Sequence, residues 1–141
     1  MLKWLFLVLP ILANAEPLGA LNLTVTQASI KQTVCVSGWT STIRPPASYT
    51  NNLKKTQLAW YQPMSSYEED HFIPLELGGN PKDPANLWAQ PWNGSCNAHD
   101  KDRVENILRK QVCSGTITLL EAQAKIHIWR TVYSQSFGGS C

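Results

Sequence analysis

The sequence predicts a small α+β domain stapled by disulfides, and three observations carry that prediction. Short β-rich stretches are broken by Gly and Pro, two later stretches repeat apolar residues at helical spacing, and the cysteines number four. The boundaries expected are a removable leader over 1–15, a strand/helix region over 16–66, and a core with its C-terminal helix over 67–141. Residues 16–141 are expected to form one compact domain.

Lys3 supplies a positive start, Trp4 to Leu12 an apolar run, and Ala13-Asn14-Ala15 a small-x-small cleavage site. The apolar run is too short to span a bilayer. Cleavage after Ala15 predicts a secreted or periplasmic protein. Leu21–Thr26 alternates and reads as a strand or an extended tail. Thr33-Val34-Cys35-Val36 reads as a strand closed by Ser37-Gly38. Arg44-Pro45-Pro46 is a breaker. Ser48 or Thr50 then caps a helix through Leu53 and Leu58 to about Trp60, and Gln62–Ser66 is linker.

The centre of the chain is Asp70-His71-Phe72-Ile73-Pro74-Leu75-Glu76-Leu77-Gly78-Gly79, followed by Asn86-Leu87-Trp88. It reads as a strand over Phe72–Leu77, a loop about Gly78-Gly79, and a return near Leu87-Trp88. Asn80–Pro84 and Pro91–Asn97 are rich in turn formers. From Ala98 or His99, Val104, Ile107, Leu108 and Val112 form one helical stripe that ends at Ser114-Gly115. Thr118-Leu119-Leu120-Glu121 is a capping box. It opens a helix whose inner stripe is Ala122, Ile126, Trp129 and Tyr133, and a Gly-rich tail follows. Trp88 and Trp129 are read as core, His127 as surface.

Cys35, Cys96, Cys113 and Cys141 allow three pairings. The preferred one is Cys35–Cys113, tying an N-terminal strand to a helix end, with Cys96–Cys141 pinning the C-terminus to a loop. No Cys-x-x-Cys spacing occurs, which argues against a cysteine metal site. The formal charge of +2 lacks the overall basicity of a typical nucleic-acid binder. Lys101, Arg103, Arg109 and Lys110 are one local basic cluster.

Asp70 offers hard oxygen to Mg²⁺ or a similar ion. His71 beside it titrates near neutrality and can accept a proton from water. Adjacent strand residues face opposite ways, so both serve one site only at a bulge or strand end. A helix start nearby presents N–H groups to phosphate. These parts suit metal-assisted hydrolysis of a phosphodiester.

Asp70-His71-x-x-Pro74-Leu75-x-Leu77-Gly78-Gly79, then Asn86-Leu87-Trp88-x-Gln90, then Lys101-Asp102-x-x-Glu105, resembles the HNH (ββα-metal, His-Me finger) endonuclease superfamily. It is most similar to the small exported bacterial branch. The flanking Cys35, Gly38-Trp39, Arg44-Pro45 and Val112-Cys113-x-Gly115 extend the resemblance over most of the chain. The resemblance implies a ββα-metal core cleaving DNA, with RNA as an alternative substrate, mainly through phosphate contacts. It implies His71 as general base, Asp70 as metal ligand, and Asn86 as the residue that fixes the loop and aims His71. The family's third position has no histidine in clear register. Asn97 is taken as the second ligand, with His99 as the alternative. Lys101 and Arg44 are taken as phosphate contacts. The implied cofactor is a divalent ion, Mg²⁺ first, with Mn²⁺, Zn²⁺ or Ni²⁺ as alternatives. Two rivals stay open: the same fold as an inactive nucleic-acid or polyanion binder, and a structural or interaction domain.

Overall fold

A computed structural model describes residues 15–59 and 63–141. The expected leader, Ala15 apart, lies outside the described residues, as do Trp60 and Gln62. The chain is α+β, with one two-stranded antiparallel sheet among helices. In order come α1 (Trp39–Ile43), α2 (Ala47–Leu58), β1 (Tyr67–His71), β2 (Leu87–Pro91), α3 (Ala98–Cys113), α4 (Leu119–Ile126) and α5 (Trp129–Phe137). None of the described helices is long and apolar enough to cross a membrane.

The helix signals locate α3 and α4 well. Asn97 caps α3, accepting from the Asp100 N–H, while the Asp100 carboxylate accepts from the Asn97 N–H. Such a reciprocal box satisfies two donors that a helix start leaves free. Val104, Leu108 and Val112 then face inward, each nearly inaccessible. Thr118 and Glu121 form the expected box at α4. The last stripe is not one helix, however. The chain turns at His127-Ile128 and restarts as α5, so fully buried Trp129 begins a new element.

The strands depart further from expectation. β1 is Tyr67–His71, ending where the predicted strand was to begin. Pro74 has no N–H for a ladder, and Leu75–Leu77 coils into a 3₁₀ turn. β2 returns as foreseen, pairing His71 with Leu87, Asp70 with Trp88 and Glu68 with Gln90. Thr33–Val36 is no strand; it follows a 3₁₀ helix over Gln27–Gln32 as a run of turns. Leu21 makes one isolated antiparallel bridge, to Gly79.

The cysteines pair as preferred, Cys35–Cys113 and Cys96–Cys141, with Cα atoms 5.5 and 5.0 Å apart. Among the described residues no cysteine is free, which fits an oxidising compartment. The core gathers Val25, Ile30 and Val34 from the N-terminal region with Phe72, Ile73, Leu77, Trp88, α3, α4 and Trp129. Trp88 and Trp129 are core, as expected, and His127 is exposed.

Cys35 and Cys113 lie 78 residues apart, a long loop for the unfolded chain to close. Replacing both by Ser is expected to cost about 4 kcal/mol, read as a lower denaturant midpoint against the oxidised parent.

Candidate active site

β1 carries the acidic and imidazole groups to one place. Residues two apart on a strand share a face, so Glu68 and Asp70 lie together. His71 is the last residue of β1, which frees it from the strict alternation. Glu68, Asp70 and His71 line one cavity of about 210 Å³ with Thr40, Arg44 and Glu76, and with Asp102, Glu105 and Asn106 from α3.

Beneath that cavity lies Lys101, with no exposed surface. Its ammonium donates to Asp70 Oδ2 at 2.7 Å, to Glu105 Oε1 at 2.6 Å and to the His71 carbonyl at 2.9 Å. An ammonium has three protons, and all three are used. The sequence predicts Lys101 on a phosphate; the structure instead buries it as an internal counter-charge. Burial alone would lower its pKa, but Asp70 and Glu105 outweigh it and raise the pKa well above the usual lysine value. Lys101 therefore stays charged. Burial lifts Glu105, while the Lys101 charge pulls it down.

His71 is only 5% exposed. Its Nε2 lies 2.9 Å from the Pro81 carbonyl oxygen. A carbonyl only accepts, so Nε2 carries the proton and Nδ1 is the acceptor. Burial lowers the His71 pKa, against the Pro81 contact and the Asp70 charge. The ring is thus neutral at neutral pH, the form that can take a proton.

Asn86 fixes the loop behind that ring. Fully buried, its Oδ1 accepts from the Ile73 N–H at 2.9 Å, and its Nδ2 donates to the carbonyls of Ile73 and Asn80, each at 2.9 Å. Gly79 is obligatory there, since a Cβ would fall 1.7 Å from the Ile73 carbonyl oxygen.

The other expected residues are dispersed. Arg44 is exposed at the cavity, close enough for its charge to act on His71, Glu68 and Glu76. Asn97 and His99 are not among the residues lining the cavity. Both polar atoms of the Asn97 side chain are engaged, Oδ1 by Asp100 and Nδ2 by the Gly94 carbonyl. The His99 ring packs on Trp92, centroids 5.0 Å apart. Among the described residues no three His, Cys, Asp or Glu side chains are grouped as metal ligands.

Glu68 is the carboxylate that sequence reasoning missed. Its signal was the two-residue step to Asp70. Burial foremost, then Asp70 and Asp102, raise its pKa to about 7, with Lys101 and Arg44 pulling down. Glu68 Oε2 is buried with no hydrogen-bond partner. Burial likewise raises Asp102 and Glu76. The arrangement sets two carboxylates, Glu68 and Asp70, beside a neutral imidazole in one cavity. Comparison with protein-family models, curated proteins and solved structures gives no match.

Lys101→Met keeps the bulk and removes the charge, leaving Asp70 and Glu105 without their cation. The expected loss is about 3 kcal/mol at pH 7, shrinking toward pH 5 as Glu105, whose pKa burial raises, takes a proton. Urea unfolding at both pH values measures it.

Proposed function

We propose that the chain is an exported, divalent-metal-dependent endonuclease of HNH type, hydrolysing phosphodiesters of DNA, with RNA as an alternative. The observation that carries the reading is the His71 ring, held through Nε2–H by a backbone carbonyl so that Nδ1 is the acceptor, in a cavity shared with Asp70.

Glu68 and Asp70 supply the donor set for the ion. Mg²⁺ commonly takes only one or two protein carboxylates and completes its shell with water and phosphate oxygens. Two carboxylates, one with an unpartnered buried oxygen, fit that habit. Zn²⁺ prefers three or more protein ligands rich in His or Cys, and Asn97 and His99 do not line this cavity. When bound, the ion supplies positive charge to the phosphoryl oxygens and to the departing 3′ oxygen. His71 Nδ1 takes the proton of a water whose oxygen attacks phosphorus. The P–O3′ bond breaks, and the 3′ oxygen leaves to be protonated from solvent. Asn86 and Pro81 hold the base in place, and Arg44 meets the incoming phosphate at the rim. Lys101 keeps Asp70 oriented from below.

A second reading draws on one observation: Lys101 already neutralises Asp70. An inactive binder of nucleic acid or another polyanion would tolerate that pairing.

The oxidised protein is expected to nick supercoiled plasmid with Mg²⁺ and to stop with chelator. His71→Ala is expected to slow nicking by about 10²-fold or more. Undiminished nicking in that variant removes His71 as the base.

The acid limb should follow Glu68. Its folded pKa of about 7 lies above the ordinary glutamate value of 4.5, so between those values the folded state holds a proton that the unfolded state has lost. Stability without metal therefore falls as pH rises from about 4.5 to 7. Mg²⁺ is expected to reverse that fall above pH 7, and nicking at subsaturating Mg²⁺ to climb through pH 7. Melting curves with and without Mg²⁺ and a pH–rate profile check both.

A further inference from the structure

The segment over residues 16–22 lies along the loop that holds His71, and its bonds run almost wholly through backbone. The Gly19 N–H donates to the Ala85 carbonyl at 3.0 Å and the Ala20 N–H to Asn86 Oδ1 at 3.4 Å. The Asn80 N–H donates to the Ala20 carbonyl at 2.8 Å, and the Asn22 N–H to the Gly78 carbonyl at 2.9 Å. Leu21 bridges Gly79 as a strand would. The segment thus grips the loop at its two ends, residues 78–80 and 85–86.

Its far end is moored separately. Glu16 Oε1 accepts from the Trp129 indole N–H at 2.9 Å and from Arg130 at 2.6 Å. His127 Nε2 lies 3.1 Å from the Leu18 carbonyl. Gly19 sits at φ +84°, where a Cβ would come within 2.7 Å of the Ile73 side chain and 3.3 Å of Phe72. Those are the two residues that follow His71.

The segment puts little into the core. Leu18 is 89% exposed and Leu21 is 40% exposed. Hydrophobic burial scales with apolar area removed from water, so these side chains contribute little by that route. The bonds hold one loop in place. That loop carries Pro81, one residue after the Asn80 N–H that the segment grips, and the Pro81 carbonyl holds His71 Nε2.

We infer that residues 16–22 are a positioning strap for His71: Glu16 moors it, Gly19 lets it lie flush, and Ala20 sets Asn80 and hence the carbonyl that fixes the ring's tautomer. The inference rests on the nuclease reading for its kinetic consequence and on geometry alone for the tautomer. Removing the strap frees Pro81 to move. His71 then exchanges the proton between its two nitrogens, and Nδ1 is the acceptor only part of the time. A base that loses its aim in this way lowers turnover more than substrate binding.

The test uses the full chain, oxidised and uniformly ¹⁵N-labelled, as parent, Gly19→Val and Glu16→Ala. Gly19→Val lifts the strap off Ile73, and Glu16→Ala unties its far end from Trp129 and Arg130. His71 ring signals, assigned by their loss in His71→Ala, are expected to show a fixed Nε2–H tautomer in the parent and averaged signals in both variants. Plasmid nicking is expected to lose about tenfold or more in kcat with KM within about twofold. Should Gly19→Val fail to fold, Glu16→Ala carries the test. An unchanged His71 tautomer in Glu16→Ala or in folded Gly19→Val, with strap amides showing faster exchange, overturns the inference. A parent that does not nick at all removes the nuclease reading, while the ring signals still decide the strap.

Discussion

One buried positive charge organises the middle of this molecule. Lys101 is wholly enclosed, and its ammonium is satisfied only because β1 and α3 bring two carboxylates and a carbonyl to it. An unpaired charge at that depth would be costly enough to change its protonation or the packing around it. The pairing therefore fixes the distance between strand and helix, and with it the floor of the cavity. Charged hydrogen bonds in such a setting are strong and directional, so Asp70 has one oxygen committed to Lys101.

Above that floor the balance of charge reverses. Glu68, Glu76, Asp102 and Glu105 line the cavity with Asp70, and Arg44 is the cation at its edge. Burial foremost, with neighbouring acids, lifts the proton affinities of Glu68, Glu76 and Asp102. Phosphate would be repelled by such a wall without a cation between them. On the proposed nuclease reading, a cation would have to stand between that wall and a phosphate, with Arg44 exposed at the mouth.

The helices were legible because their signals are local: a 3.6-residue stripe, a capping box, a closing Gly. α3 and the start of α4 needed nothing else. The disulfide pairing was one preference among three; it holds, although Cys35 sits in a turn and not in the strand that argued for it. Thr33–Val36 misled because β-branched composition says nothing about whether a partner strand exists, and the sheet has only two. β1 was displaced because three consecutive acids carry no strand-like composition, whereas Glu68 and Asp70 here line a cavity. Lys101 misled most. Lysine is among the residues least often fully buried, so a basic residue near a helix start reads as surface. The hint was Glu105 one helical turn on, which pairs with it. His71 and Asn86 were legible as a motif; Pro81 and the strap were not, since backbone carbonyls and amides leave no trace in side-chain identity.

Both disulfides touch α3. Cys113 is its last residue, and Cys96 directly precedes its Asn97 cap. Helix tips normally fray and are where proteases gain entry. Here each tip is soldered to a different part of the chain, one to the N-terminal turns and one to the tail. The helix bearing Lys101, Asp102 and Glu105 is thus braced like an axle between two bearings. Mild reductant should loosen that axle at its tips and blur the cavity's geometry well before the protein melts.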